Sequence, residues 1–221
     1  MNSTALVTGA ARGIGNSVAS ALESRGVRVH KPSREELDLG MPESVSDYIS
    51  GFDEAIDVLV LNAGINNPAT LENLSAENWA STHQVNVSSN MQLLQGLVPR
   101  MAAAGYGRVA AISSVYAHRA RLGRAAYSAS KAALEELVRS VAVEYGSSGV
   151  LANCVAPGFV LTDLTYQNND AKQIQLLAEK IPVGRLAQPE EIANFISWLV
   201  SPENSYITGQ SIAIDGGFLC V

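Results

Sequence analysis

The chain alternates short apolar runs with longer stretches in which apolar residues recur every three or four positions. The short runs are typical of strands buried on both faces, and the longer period is typical of amphipathic helices. Strands are predicted at residues 5–7, 27–31, 56–61, 108–113, 150–155 and 210–214. Helices are predicted up to residue 22 after the first strand, and at residues 76–103, 125–145, 171–180 and 189–199. This alternation predicts an α/β fold with a doubly wound parallel sheet, Rossmann-like, that binds ligands at the carboxyl ends of its strands.

The connection after the second strand is unusually short. Only a few residues separate Arg34 from the run Glu36-Leu37-Asp38-Leu39, fewer than the dozen or so that a full helical crossover needs. The second crossover helix is therefore predicted to be truncated or absent. Asp38 and Leu39 are expected to end a short edge strand, near the place where an adenine ring would lie.

The rest of the chain gives no sign of a second domain or an internal repeat, and 221 residues fit one domain. Residues 157–188 are polar and poorly patterned apart from one amphipathic helix. A segment of that length beside a ligand site is more often a lid than a linker.

Composition narrows the classes of function. Charged residues make up 16% of the chain, and the net charge of −6 argues against binding nucleic acid through bulk electrostatics. The two cysteines, Cys154 and Cys220, cannot form a disulfide framework, and three scattered histidines indicate no metal site. The first apolar run begins within four residues of the start, and no apolar run reaches the ~18 residues of a membrane span. We expect a cytoplasmic protein that does not bind membranes.

A glycine-rich turn, TGAARGIG at residues 8–15, joins the first strand to the first helix. Gly9 permits the tight turn, Gly13 lets a pyrophosphate approach the backbone, and Gly15 allows close packing of helix on strand. The N-terminus of the helix offers unpaired N–H groups to phosphate. A plain strand–helix turn is the alternative, but the position at the first strand–helix junction favours a dinucleotide site.

The end of the second strand carries Ser33 and Arg34 where an NAD site would have an acidic residue. Arg12, in the glycine loop, adds a second guanidinium. Two guanidiniums would bind a 2′-phosphate that a carboxylate would repel, although both could instead be solvated surface groups. The pattern predicts NADP(H).

Tyr127 and Lys131 lie four residues apart in a predicted helix, so that both side chains lie on one face. A tyrosine ionises near pH ~10, too high for efficient acid–base work at neutral pH. A neighbouring ammonium favours the phenolate and is expected to lower that pKa. Alone, the pair could be an ordinary contact on a helix surface.

Together these features resemble the short-chain dehydrogenase/reductase family over essentially the whole chain, in its single-domain branch. Leu61-Asn62-Ala63-Gly64 is similar to the family's Asn-Asn-Ala-Gly motif, with Leu61 a departure, and Pro157-Gly158, Thr162 and Asp215-Gly216-Gly217 match later motifs. The catalytic residues that the resemblance implies are Asn86, Ser114, Tyr127 and Lys131. The cofactor contacts that it and the loop patterns imply are Gly9, Arg12, Gly13, Ile14, Gly15, Ser33, Arg34, Asp38, Leu39, Asn62, Ala63, Gly64, Tyr127, Lys131, Pro157, Gly158, Val160 and Thr162.

The resemblance also implies a mechanism of carbonyl reduction. Hydride passes from the nicotinamide to the carbonyl carbon while Tyr127 protonates the oxygen. Lys131 lowers the tyrosine pKa and holds the nicotinamide ribose, and Ser114 hydrogen-bonds the substrate oxygen. Asn86 is expected to hold a water for proton resupply, Thr162 to bond the carboxamide, and Val155 to shape the pocket with Asn62 and Gly64. Ser113 competes with Ser114, because neighbouring strand residues face opposite ways.

Three functions are compatible with this pattern: an NADPH-dependent carbonyl reductase, a 3-oxoacyl-(acyl-carrier-protein) reductase, and a nucleotide-binding sensor or scaffold without catalysis. The presence of Tyr127 and Lys131 disfavours the last. Family members that act on carrier-bound substrates usually have arginines where this chain has Gly105 and Ser148, which weakens the second.

Two surface features bear on substrate and partners. His118, Arg119, Arg121 and Arg124 crowd the loop between Ser114 and Tyr127, either as solvated or subunit-contact groups or as a site that recruits an anionic substrate. A homodimer or homotetramer is predicted from small residues on one helix face and from the apolar C-terminus Phe218-Leu219-Cys220-Val221. The small residues are Ala125, Ala126, Ala129, Ala132 and Ala133.

Overall fold

A computed structural model describes residues 3–162, 165–166 and 170–221 of the chain. The strands are β1 Thr4–Val7, β2 Arg28–His30, β3 Val58–Leu61, β4 Gly107–Ile112, β5 Val150–Pro157 and β6 Ser211–Ile214. The α-helices are α1 Gly13–Ser24, α2 Pro42–Gly51, α3 Ala76–His83, α4 Ser89–Ala103, α5 Ala125–Tyr145, α6 Ala171–Ala178 and α7 Pro189–Leu199. A π-helical segment, Gln84–Ser88, joins α3 to α4.

The strands form one parallel sheet in the order β2-β1-β3-β4-β5-β6. The chain runs from β1 outward to β2, then returns to the other side of β1 to form β3. Ligands of open α/β sheets bind at such a reversal, outside the carboxyl ends of the strands. The turns after β1 and β3 therefore meet at the expected binding crevice, and the predicted doubly wound sheet is confirmed.

Both faces of the sheet are buried, as its continuous apolar strands require. Alternate strand residues divide between two cores: Leu6, Leu59 and Leu61 pack with α2, α4 and α5. Val7 and Val60 pack on the opposite face with α1 and α7. No helix in the described part of the chain is long and apolar enough to cross a membrane.

The segment after β2 differs from the prediction. The expected strand ending at Asp38 and Leu39 is wrong: residues 34–36 form a turn, and residues 37 and 38 have no regular secondary structure. Leu37 and Leu39 are buried in the core beside Val45 of α2, so their apolar pattern reflects packing and not strand pairing. The single helix α2 makes the whole connection from β2 to β3, and β2 becomes an edge strand of the sheet.

The residues predicted to form a subunit interface do not all lie on the surface. Ala126 is buried inside the protein, whereas Ala125 and Ala132 are exposed. Phe218 packs in a small cluster with Val115, Ile181 and Leu186, so most of the bulky part of the C-terminus is already covered within the chain.

Candidate active site

The glycine loop and the turn after β3 are joined by direct hydrogen bonds. The Asn62 side chain donates to the carbonyl oxygens of Thr8 and Gly9 at 3.0 and 3.1 Å. The Thr8 hydroxyl oxygen accepts the N–H groups of Asn62 and Ala63 at 3.0 and 3.1 Å. These bonds hold the two turns together at the reversal of strand order.

The glycines of this loop have the geometry that a phosphate cradle needs. Gly9 and Gly13 have φ values of +65° and +56°, in the left-handed region that favours glycine. A Cβ on Gly15 would lie 2.4 Å from both the Asn62 amide nitrogen and the Gly9 carbonyl oxygen. Only a glycine lets α1 start this close to the turn after β3.

These turns form one wall of a cavity of about 400 Å³, and α5 forms another. Ten predicted site residues line it: Gly9, Arg12, Gly13, Ile14, Asn62, Ala63, Gly64, Tyr127, Lys131 and Thr162. Ser113, which the sequence analysis weighed against Ser114, also lines it, and four further lining residues were missed, namely Ala11, Ile65, Asn66 and Ile112. Each of the four lies within two positions of a predicted residue, and that proximity in the chain was the available signal.

Tyr127 and Lys131 lie on the cavity side of α5, one turn apart. The Lys131 ammonium is buried and donates a 2.6 Å hydrogen bond to the carbonyl oxygen of Ile112, at the end of β4. Its Nζ lies 5.7 Å from the centre of the Tyr127 ring. A Cβ on Gly64 would be 3.3 Å from this Nζ, so the small residue leaves room for the ammonium.

The pKa values of this pair differ from the expectation. Burial raises the pKa of Tyr127 above its usual value, although the Ser114 hydroxyl and the charge of Arg124 act in the opposite direction. Burial also lowers the pKa of Lys131, to about 8. The predicted lowering of the tyrosine pKa is therefore wrong for the protein alone, because desolvation outweighs the neighbouring charges.

The two serines after β4 face opposite ways, as alternation in an extended chain requires. The Ser114 hydroxyl lies near the Tyr127 hydroxyl and acts to lower its pKa, and its Oγ accepts the N–H of Tyr116 at 3.2 Å. The Ser113 hydroxyl donates to the buried carboxylate of Glu135 at 2.6 Å. Ser113 contributes to the cavity wall, but its hydroxyl is turned away from Tyr127.

Asn86 is fully buried in the π-helical segment. Its side-chain oxygen accepts the N–H of Ile65 at 2.9 Å, and its amide donates to the Ile65 carbonyl oxygen and to Ser130 Oγ at 2.9 and 3.0 Å. Ser130 Oγ in turn donates to the Tyr127 carbonyl oxygen at 2.7 Å. Asn86 thus links the turn after β3 to the helix of Tyr127, and Ser130 is a residue that the sequence analysis missed.

The residues predicted at the adenine end lie outside this cavity. Arg34 is 85% exposed and pairs with Asp38 at 3.1 Å. Glu36 accepts the Ser33 N–H at 2.7 Å, and the N–H of Gly40 lowers the pKa of Asp38. Leu39 packs in the core beside Val45, and its predicted cofactor contact stays a prediction.

Among the residues predicted at and after the end of β5, Thr162 lines the cavity, whereas Val155, Pro157, Gly158 and Val160 do not. Val160 is buried among core residues of α1 and α7, and Val155 is completely buried, which makes its predicted pocket-shaping role wrong. A Cβ on Gly158 would approach the Asp215 Cα to 2.8 Å. Thr162 faces the glycine loop, since a Cβ on Gly13 would lie 3.4 Å from its methyl carbon.

The comparisons agree with this geometry. A family model described as "Enoyl-(Acyl carrier protein) reductase" matches residues 34–219. The 3-oxoacyl-(acyl-carrier-protein) reductase FabG of Vibrio cholerae is 34% identical, covering 98% of this chain and 97% of its own length. The chain belongs to the short-chain dehydrogenase/reductase family.

Solved structures support the same assignment. A protein titled a short chain dehydrogenase/reductase family protein superposes with a TM-score of 0.88 at 33% identity, over 99% of this chain and 98% of its own. The gluconate 5-dehydrogenase of Burkholderia cenocepacia, solved with NADP and tartrate, superposes with a TM-score of 0.90 at 27% identity. That match covers 100% of this chain and 97% of the dehydrogenase.

Proposed function

We propose that this protein is an NADPH-dependent reductase that converts a ketone or aldehyde reversibly to an alcohol. The observation that carries the proposal is the meeting of Tyr127, Lys131 and the glycine loop at one cavity, with the Ser114 hydroxyl near enough to Tyr127 to lower its pKa. This arrangement offers a proton donor and a second hydroxyl to one carbonyl oxygen.

The cavity fits a nicotinamide dinucleotide. Gly9 and Gly13 open the backbone where a pyrophosphate would approach, and the N–H groups at the start of α1 would bind it. Lys131 would bind the ribose hydroxyls, and Thr162 the carboxamide. When bound, the nicotinamide supplies the hydride.

Within the chain, Tyr127 provides the proton. Because burial raises its pKa, the hydroxyl is protonated at neutral pH, as proton donation to a carbonyl oxygen requires. Ser114 would hold the carbonyl oxygen within reach and stabilise the negative charge that develops there. Asn86 acts here as a positioning residue, because its amide is already bonded to Ile65 and Ser130.

The preference for NADP(H) rests on two arginines. Arg12 is exposed at the start of α1, and Arg34 is exposed after β2. Arg34 would have to exchange Asp38 for a 2′-phosphate, which is feasible because exposed ion pairs contribute little. The NADP found in the Burkholderia cenocepacia relative supports the same cofactor.

A 3-oxoacyl-(acyl-carrier-protein) reductase is the second candidate, favoured by the identity to the Vibrio cholerae enzyme. The exposed residues Gly105 and Ser148, just before β4 and β5, carry no charge for an acidic carrier protein. This candidate predicts faster turnover of a carrier-bound 3-oxoacyl thioester than of the matching N-acetylcysteamine thioester.

The test is a screen of 3-oxoacyl thioesters, keto-sugars and simple diketones with NADPH, followed at the nicotinamide absorbance. Tyr127→Phe serves as the matched inactive control, because it keeps the ring and removes the hydroxyl. Turnover by the unmodified protein alone supports the proposal. Equal, negligible rates for both proteins, with NADPH bound normally, would favour a nucleotide-binding sensor.

We also propose that the chain works as one NAD(P)-binding domain in a homodimer or homotetramer in the cytoplasm. Support for assembly comes from exposed apolar residues along α5, among them Val143 at 85% exposure. The cytoplasmic assignment is supported by the two free cysteines.

A further inference from the structure

The loop between Ser114 and Tyr127 contains four basic side chains, which fall into two pairs with different kinds of contacts. His118 lies 3.1 Å from the buried carboxylate of Glu135. Arg119 donates to the carbonyl oxygens of Phe218 and Val221 at 3.1 and 2.6 Å, which fixes the C-terminal turn. These two groups therefore have structural partners.

Arg121 and Arg124 are different. Arg121 donates to the Tyr116 hydroxyl, and its guanidinium carbon lies 5.5 Å from the centre of the Tyr116 ring and 5.7 Å from that of Phe159. Arg124 is partly buried and donates at 2.7 Å to the side-chain oxygen of Asn66, a residue of the cavity wall. Both guanidiniums are thus held by neutral groups.

Neither arginine forms an ion pair with an acidic side chain within the described residues. Several arginines elsewhere do, as the pairs Arg25–Glu203, Arg34–Asp38, Arg139–Glu136 and Arg185–Glu191 show. The two loop arginines are also close enough to repel each other, since the charge of Arg121 adds to burial in lowering the pKa of Arg124. A pair of like charges without a counter-ion is costly, and such an arrangement is typical of an anion-binding site.

The position of Arg121 and Arg124 near Tyr127 indicates what they bind. Arg124 lies one helical turn before Tyr127, and its positive charge acts on the tyrosine hydroxyl. Both arginines lie outside the cavity lining, but Arg124 is bonded to Asn66 of the cavity wall, so a substrate that reaches Tyr127 and extends past Asn66 would meet them. We propose that the substrate is a keto acid: a small molecule with a carboxylate or phosphate that Arg124 and Arg121 bind while its ketone faces Tyr127. This inference rests on the proposed reductase function and names its substrate class.

The experiment compares substrates that are matched except for the carboxylate: 4-oxopentanoate against its methyl ester, and 5-keto-D-gluconate against L-sorbose, which has CH2OH in place of the carboxylate. With NADPH, the acids should have kcat/KM values at least about tenfold higher than the neutral partners. Tenfold corresponds to about 1.4 kcal/mol, which is less than one charge-assisted hydrogen bond contributes. Arg124→Gln should remove most of this preference through the KM for the acids, and Arg124→Lys should keep part of it. Arg139→Gln, further along α5, is the matched control and should keep the full preference.

Equal kcat/KM for acid and ester in the unmodified protein would overturn the inference while leaving the reductase function intact. An Arg124→Gln protein that keeps the preference and loses its oligomeric state would also overturn it, because the arginine would then be a subunit contact. If no ketone is reduced, the proposed function is wrong. The anion site is then tested on its own by calorimetry of 4-oxopentanoate binding. Binding that is lost in Arg124→Gln supports an anion site, and binding equal to that of the ester overturns it.

Discussion

The hydroxyl of Ser113 donates a 2.6 Å hydrogen bond to the buried carboxylate of Glu135. Glu135 also accepts the Ser211 hydroxyl at 2.7 Å. One side chain of α5 thus joins the residue that follows β4 to the first residue of β6. Because Ser113 is turned toward Glu135, the next hydroxyl along the chain, Ser114, is directed toward Tyr127. The two adjacent serines therefore have separable roles.

Ser114→Ala should lower kcat by about 100-fold or more, the usual cost of removing one donor to a developing oxyanion. Ser113→Ala should leave kcat within about threefold but lower the free energy of unfolding by about 1–3 kcal/mol, because a buried carboxylate loses a partner. Steady-state rates and urea unfolding of both variants make the comparison. A larger loss of kcat in Ser113→Ala would reverse the assignment.

Tyr127→Phe keeps the shape of the ring and removes the transferable proton. We expect turnover to fall by at least about 100-fold, the contribution of a general acid, while NADPH still binds. Fluorescence titration of NADPH checks the binding. Retention of more than about a tenth of the rate would show that Tyr127 is not the proton donor.

Lys131→Met should stabilise the protein at neutral pH. Burial holds the Lys131 pKa at about 8 instead of 10.5, a difference on the order of 3 kcal/mol against the charged form. The lost hydrogen bond to Ile112 would offset about 1 kcal/mol of this gain. Below pH 8 the folded protein bears the full cost of the buried charge.

As the pH rises from about 8 to 10.5, the folded protein loses a proton that the unfolded chain keeps, so the wild type gains stability. The advantage of the Met variant should therefore shrink over this range, as urea unfolding at pH 7 and pH 10 will measure. The same variant should bind NADPH more weakly, because the ribose loses a donor. A wild type that is more stable than the variant by the same margin at both pH values contradicts this account.

Arg34→Ala should raise the KM for NADPH about tenfold or more and leave that for NADH nearly unchanged, because it removes a charge-assisted bond to the 2′-phosphate. Ser33→Asp should begin to reverse the preference. Arg28→Ala, which removes an exposed arginine of β2 paired with Glu54, is the matched control. Equal catalytic efficiency of the unmodified protein with both cofactors would refute the assignment.

The exposed face of α5 that contains Ala125, Ala132 and Val143 is the expected subunit contact, because steps of seven and eleven residues return to nearly the same side of a helix. Val143→Glu places a charge in that contact and should dissociate the assembly. Light scattering at micromolar concentration measures the mass before and after the change. A 23 kDa monomer for the unmodified protein would rule out the assembly.

The sequence predicted correctly those elements whose apolar pattern has a single structural explanation. Helix Ala125–Tyr145 has the predicted bounds, as does Pro189–Leu199, where Pro189 and a capping residue mark the start. The apolar run at Leu37 and Leu39 was ambiguous, because core contacts require the same residues as strand pairing. Helix Pro42–Gly51 went unpredicted although Pro42 at its start and the spacing of Val45, Tyr48 and Ile49 are typical of a helix. The segment was overlooked because the run before it had been assigned to a strand.

Within the site, the chain positions of Tyr127, Lys131 and the glycines were predictable, but their electrostatics were not. The direction of the Tyr127 pKa depends on how desolvation compares with Ser114 and Arg124, a balance that only the packed structure defines. Likewise, the sequence could not tell which basic side chains of the loop after Ser114 have partners. His118 and Arg119 contact groups that are distant in the chain.

The position of β2 at the edge of the sheet also affects how the folded protein behaves toward its own copies. With β2 at the margin of the sheet, the unpaired N–H and C=O groups along one side of this strand could pair with a strand from another molecule. The strand is only three residues long, and Arg28 and His30 both contact Glu54 beside it. Natural sheets limit pairing between molecules by keeping edge strands short and by placing charged side chains on them. We therefore expect three side chains far from the active site, Arg28, His30 and Glu54, to protect this edge against pairing with a second molecule.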